Sequence, residues 1–258
     1  MLESQIRQAA VKGVGLVQCK LCDRDVEKLV DSHIIPQSFY GTAFVDPKGP
    51  AKILSSNQDV WPTRSRVGEY DPNLLCDQCE ASLSGFDDYA HSILFQTNPS
   101  HTTLDNGEEL VARFDQIDTE KLRTFFISLL WRMHATDRPM FSSVRLGEFE
   151  ARFKLATFEK RSDSVPEMDA IISKYDVVNT PVMGPRRQRF DGLNGYHISF
   201  AGGTCWIKVD SREMPDYFAE IALSRGSPLH VLLRDFSSSP ERVTLTKLAL
   251  LHRNAHRK

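Results

Sequence analysis

The chain has 258 residues, 41% of them hydrophobic and 26% charged, with a formal net charge of −2. That is ordinary for a soluble globular protein of one large domain or two small ones. The charge excludes a protein that coats DNA by bulk electrostatics, and no apolar run approaches the roughly 20 residues that span a bilayer.

The N-terminus, Met1 to Arg7, carries Glu3 early and lacks an apolar core of signal-peptide length, so the chain reads as cytoplasmic. Residues 1 to about 17 read as a short helix and lead-in, loosened by Gly13 and Gly15. Cys19-Lys20-Leu21-Cys22 is a knuckle turn. Glu27 to Ile35 fits a strand that delivers His33, and Pro36 ends it. Residues 41–72 are loop-rich, punctuated by Gly41, Pro47, Gly49, Pro50, Pro62, Gly68 and Pro72. Connections this long are often functional. Asn73-Leu74-Leu75 leads into a second knuckle, Cys76-Asp77-Gln78-Cys79.

From Glu80 to about Phe95, Leu83, Phe86, Ala90, Ile93 and Leu94 recur at helical spacing. A second helix is capped by Asp118 or Thr119 and carries a stripe from Leu122 to Met133. On it, Arg123, Arg132 and His134 are expected to face solvent. A third helix is expected from about Leu146 to Phe158. Strands follow at Val177-Val178, Tyr196 to Phe200 and Thr204 to Val209, with Ala201-Gly202-Gly203 as a hairpin turn. Asp216 to Leu223 reads as a short helix and Leu229 to Leu233 as a strand; Thr244 to His252 fits either. Trp131, Trp206 and Cys205 are expected in the core. The pattern predicts an α+β fold in three parts: residues 1–100, a helical region 101–160, and a C-terminal α+β region 161–258. The boundary is expected between Leu155 and Asp169.

Four of the five cysteines stand in the two knuckles. In a reducing compartment such pairs hold metal rather than disulfides. Cys19, Cys22, Cys76 and Cys79 are the donor set of a closed tetrahedral Zn²⁺ site. A zinc ribbon without catalysis is the simpler alternative. His33, on a strand between the knuckles, is a candidate general base, because imidazole titrates near neutrality. Otherwise it is a satisfied structural histidine. Glu80, Ser84, Asp87 and His91 share one face of the first helix. Glu80 and Asp87 lie about 10 Å apart along its axis, too far for direct bridging by one ion. Asp87 and His91 are spaced to form a metal pair or an orienting hydrogen bond, or simply a solvated face.

Through residue 100 there are 13 acidic side chains and 9 basic ones. Nucleic-acid contact must therefore come from local basic groups, a metal ion or a partner. The candidates are Lys52, Arg64 and Arg66 in the long loop, and Arg186, Arg187 and Arg189 in an expected loop after Pro185. The basic tail from His252 to Lys258 is a further one.

The run Val30-Asp31-Ser32-His33-Ile34-Ile35-Pro36-Gln37-Ser38-Phe39 resembles the first strand and turn of HNH (His-Me finger) endonucleases. Asn73-Leu74-Leu75-Cys76-Asp77-Gln78-Cys79-Glu80 resembles the zinc-containing segment of the same family. The likeness covers about residues 17 to 95. It implies a ββα-metal module stapled by structural Zn²⁺, with His33 as general base. By position, Asn73 would orient that base and Glu80 would hold a catalytic Mg²⁺ or Mn²⁺. Ser32, Asp87 and His91 are further candidate ligands of that ion.

The pattern departs from the family at Ser32, where many members have a metal-binding Asp or His. Asp31, one residue earlier, cannot replace it without a bulge. The activity implied is hydrolysis of DNA phosphodiester bonds, in defence against foreign DNA, with an ATPase as protein partner or a homo-oligomer as the assembly. The alternatives are a decayed zinc-binding adaptor for DNA or protein, and an RNase.

Overall fold

The computed structural model describes residues 15–44, 51–53, 63–65, 67–103, 109–177 and 180–255. Among them lie four α-helices and a mixed seven-stranded sheet, giving an α+β architecture. The helix expected near the N-terminus falls outside these residues.

The first part of the chain is built from short elements. β1 (Val17–Gln18) and β2 (Asp25–Val26) pair around the first knuckle. β3 (Val30–His33) runs antiparallel to β6 (Tyr70–Leu75), with Ser32 opposite Asp71 and His33 opposite Tyr70. β4 (Ala51–Ile53) and β5 (Thr63–Ser65) form a separate hairpin within the long connection. α1 (Asp77–His91) follows β6 directly and continues into a π-turn at Ser92–Gln96. Asp77 and Glu80 lie in its first turn, where negative charge complements the helix dipole.

β7 (Ser100–Thr103) and β8 (Glu109–Phe114) come next, then α2 (Thr119–Ala135) and α3 (Glu150–Glu159). Asp118 caps α2 by accepting from the Lys121 amide at 3.0 Å. The remaining strands are β9 (Ala170–Tyr175), β10 (Met183–Phe190), β11 (Leu193–Phe200), β12 (Gly203–Lys208) and β13 (Leu229–Arg234), and α4 (Pro240–Ala255) closes the chain. The sheet order is β10-β11-β12-β9-β13-β8-β7. Only β13 and β9 are parallel; the other pairs are antiparallel. The sheet therefore draws strands from both sides of the boundary expected at Leu155 to Asp169. The strand expected to include Val177 stops short of it: β9 ends at Tyr175, and Val178 lies outside the described residues. Asp216–Ile221 and Leu223–Arg225 are 3₁₀ turns.

α2 is the axis of the core. Every residue from Leu122 to Met133 is buried, including Arg123 and Arg132. This corrects the expected solvent face for these two arginines. Arg123 donates from Nε to the Ser162 hydroxyl at 3.0 Å and from Nη2 to the Val165 carbonyl at 3.2 Å. Fixed protein acceptors thus replace water, the condition for burying a cation. Trp131, Trp206 and Cys205 are core residues as expected.

One aromatic cluster joins the first part to the rest. The Phe39 ring stacks on Phe125 of α2 at 5.0 Å and meets Phe200 of β11 edge-on at 5.8 Å. The Phe39 carbonyl also accepts from the Ala201 amide at 3.0 Å. The β3–β6–α1 unit is thereby seated on α2 and the sheet.

Candidate functional site

The four knuckle cysteines converge. Their sulfur atoms all lie within 4.8 Å of one another, and none is in a disulfide. Cys22 Sγ is 3.9 Å from Cys76 Sγ, close to the roughly 3.8 Å edge of a tetrahedron built on Zn–S bonds. Backbone geometry holds the set. The Lys20 amide donates to the Leu74 carbonyl at 3.0 Å, and the Cys76 amide to Cys19 Sγ at 3.3 Å. Arg24 spans both knuckles, donating to Cys22 Sγ at 3.3 Å and to Gln78 Oε1 at 2.8 Å. Burial works to raise the Cys22 thiol, but the Arg24 contact and neighbouring thiols pull it down to about 6. Thiolate character is what a metal ligand requires. The cluster could hold a structural zinc ion. Among the described residues it is the one group of three or more His, Cys, Asp and Glu side chains close enough to share an ion.

A second focus lies where β3 ends. His33 and Glu80 line a cleft of about 580 Å³ together with Ser84, Asp87 and Asp88. His33 is half-buried, and its Nε2 lies 2.9 Å from the Val67 carbonyl. That carbonyl is presented by a locked turn. The Ser65 hydroxyl donates to the Gly68 carbonyl at 2.8 Å and accepts from the Val67 amide at 3.2 Å. Gly68 has φ +90°, and a Cβ there would stand 2.5 Å from the Tyr40 ring. Only glycine satisfies both conditions. The sequence offered Gly68 merely as loop punctuation.

Glu80 enters the cleft from the first turn of α1. Burial pushes its carboxyl up, while the Arg132 charge and a hydrogen bond with Ser32 pull it down. Its Oε2 is out of contact with water and has no hydrogen-bond partner.

Several expected ligands stand elsewhere. Asp87 lines the cleft, but both its oxygens are taken by Arg132, at 3.0 and 2.7 Å. His91 packs against Phe39 and Phe95, with ring centroids 6.0 and 5.2 Å away, and does not line the cleft. The Asp87–His91 pairing is therefore replaced by an ion pair and an aromatic contact. Ser32 is fully buried, not open to the cleft. The β3–β6 ladder does shift register between Val30 and Ser32, but Asp31 remains exposed and outside the cleft lining.

The side chain of Asn73 is exposed, and its amide N–H donates to Asp71 Oδ1 at 2.8 Å. Asp71, 3% exposed, also accepts from the Thr136 hydroxyl at 2.6 Å. The side chain that makes buried hydrogen bonds here is thus that of Asp71, two residues before Asn73.

The basic candidates divide. Lys52 and Arg64 sit opposite one another on the β4–β5 hairpin; Arg66 lies outside the described residues, as does the end of the basic tail. Arg186, Arg187 and Arg189 belong to β10 rather than to a loop. Alternation along that strand leaves Arg187 and Arg189 exposed and turns Arg186 toward Glu241, 3.3 Å away.

No protein-family model matches the chain, and neither a curated protein nor a solved structure matches it. No helix among the described residues is long and apolar enough to cross a membrane.

Proposed function

We propose that the protein is a metal-dependent endonuclease of the HNH type that hydrolyses DNA, with a ββα unit formed by β3, β6 and α1. The observation that carries the reading is the meeting of His33 and Glu80 in one cleft, with Glu80 Oε2 buried and unpartnered. A hard divalent cation is the partner such an oxygen fits. When bound, Mg²⁺ or Mn²⁺ would stabilise charge on the scissile phosphate and the leaving oxygen.

The chain's own groups supply the rest. With Nε2–H donating to the Val67 carbonyl, Nδ1 of His33 is the free lone pair that takes a proton from water. Glu80 gives the cation its protein ligand, and Ser32, fully buried, adds none. The four cysteines fix the start of α1, and hence Glu80, against β3. Arg187 and Arg189 remain candidates for phosphate contact, as do Lys52, Arg64 and Arg66.

Plasmid nicking tests the reading. Wild-type protein with Mg²⁺ or Mn²⁺ should nick DNA, and His33→Ala should lose about 10²- to 10⁴-fold of that rate. Excess EDTA should abolish it. Equal activity in both proteins, or none in either with any metal, overturns the proposal. RNA run beside DNA separates an RNase. A decayed adaptor draws support from Ser32, which is sealed away where a metal ligand is wanted. It predicts DNA or protein binding without nicking.

A further inference from the structure

The seven-stranded sheet has a second face, directed away from α2. There Ile171 and Trp206 pack with Phe190, Phe218 and Leu232 in an apolar cluster separate from the main core. Pro240 and Glu241, at the start of α4, border a cleft of about 310 Å³ on this face. That is the lower end of the size range of small-ligand pockets.

The two ends of the cleft differ in chemistry. At one end Glu241 is 2% exposed and surrounded. Arg186 lies 3.3 Å from its Oε1 and His197 3.1 Å; Arg234 lies 3.6 Å from its Oε2, and the Tyr175 hydroxyl donates to that oxygen at 2.7 Å. Burial holds His197 toward its neutral form. Two guanidinium groups therefore face one carboxylate, leaving a net positive charge. At the other end, Phe190 and Trp206 form an aromatic wall with centroids 5.4 Å apart. Between the ends, Arg186 Nε and Gln188 Oε1 are buried without hydrogen-bond partners. Both side chains line the cleft. A buried unmatched donor and a buried unmatched acceptor on residues lining one cleft are uncommon in a folded protein and call for a complementary group.

We propose that this cleft binds a nucleotide, with its base against Phe190 and Trp206 and its phosphate drawn to Arg234 and Arg186. A base edge offers an acceptor for Arg186 Nε and an N–H for Gln188 Oε1, and its π-face suits the aromatic wall. A simple aromatic acid would satisfy the charge and the rings but leave the donor–acceptor pair unmatched. The base could belong to a free mononucleotide or to a single strand. This inference goes beyond the nuclease reading and does not depend on it.

The test is calorimetric titration of the full-length, zinc-loaded His33→Ala protein without added Mg²⁺ or Mn²⁺. The probes are AMP, GMP, CMP and UMP, a short single-stranded DNA oligonucleotide, and inorganic phosphate. At least one mononucleotide or the oligonucleotide should bind, and inorganic phosphate should not. Gln188→Leu, which removes the acceptor at similar volume, should weaken binding about ten-fold, and Arg234→Gln should weaken it as well. Mononucleotide binding identifies the free ligand. Oligonucleotide binding alone, still weakened by Gln188→Leu, identifies the strand. No binding of any nucleotide by folded protein overturns the proposal. So does equal binding of inorganic phosphate, or affinity unchanged in both variants. Since no readout is cleavage, an inactive His33 site would leave the result intact.

Discussion

Arg132 and Asp87 form a two-pronged ion pair between α2 and α1, with N–O distances of 3.0 and 2.7 Å. The guanidinium also donates to the His33 carbonyl at 3.0 Å. One buried side chain therefore ties together the helix carrying Glu80, the strand carrying His33 and the central helix of the core. The Arg132 side chain is 1% exposed and that of Asp87 15%, so water does little to screen the pair.

Removing one partner should be costly, because it strands the other charge in a dry site. Arg132→Met is expected to destabilise the fold by about 3–5 kcal/mol in urea unfolding. Arg132→Met with Asp87→Leu should recover much of that loss, since two apolar groups leave no orphan charge. A loss below about 1 kcal/mol in the single variant would mean that the pair behaves as an exposed one.

The cysteine cluster makes a prediction about metal content. Purified protein should carry about one zinc ion per chain. Cys19→Ser or Cys76→Ser should release it, and the circular dichroism spectrum should lose ordered structure. Full zinc occupancy in the Cys76→Ser protein, measured by mass spectrometry of the metal, would sink the assignment.

Asn73 and Asp71 can be separated by substitution. Asn73→Ala removes an exposed side chain and should change stability by no more than about 0.5 kcal/mol. Asp71→Ala leaves the Asn73 amide and the Thr136 hydroxyl without their acceptor, and should cost about 1–3 kcal/mol. Thermal unfolding of both variants decides the matter. The reverse ranking would restore Asn73 as the residue that pins the strand.

Glu241 gives a pH dependence. Burial works to raise its carboxyl, but the hydrogen bonds from His197 and Tyr175 outweigh it and hold the group down at about 2. A depressed carboxyl stabilises the fold above its unfolded pKa of 4.5, and the contribution fades as pH falls from there toward 2. The amount at stake is about 3 kcal/mol. Glu241→Gln should flatten the fall in urea-unfolding free energy across that window. An unchanged slope would place the acid sensitivity elsewhere.

The cysteine knuckles were legible because their spacing is a local property of the chain. The cap at Asp118 and the α1 stripe are local in the same sense. Arg132 was not legible. Helical periodicity tells which residues share a face, but not that Asp87, far away in sequence, waits to pair with a cation on the remaining face. β10 was hidden for a related reason. Arg186-Arg187-Gln188-Arg189 reads as polar, and only pairing with β11 makes it a strand with Arg186 and Gln188 on the cleft side. At the candidate site, His33 and Glu80, singled out by their motif positions, line one cleft. Gly68 was missed because the Tyr40 ring that demands it comes from another segment.

The Phe39 contacts bear on how this protein can be taken apart. Its ring is 1% exposed, and much of what covers it, Phe125 and Phe200, lies far beyond residue 100. Cutting the chain there would bare Phe39 and Phe95, which both pack on Phe200, to water, each buried side chain of this kind losing about 1.5–3 kcal/mol of burial. The cysteine-bearing segment is thus not a cassette to be transplanted into a fusion or expressed alone. A metal staple would hold the knuckles together, while Arg132, which grips Asp87 in the cleft wall, stayed behind with the rest of the chain.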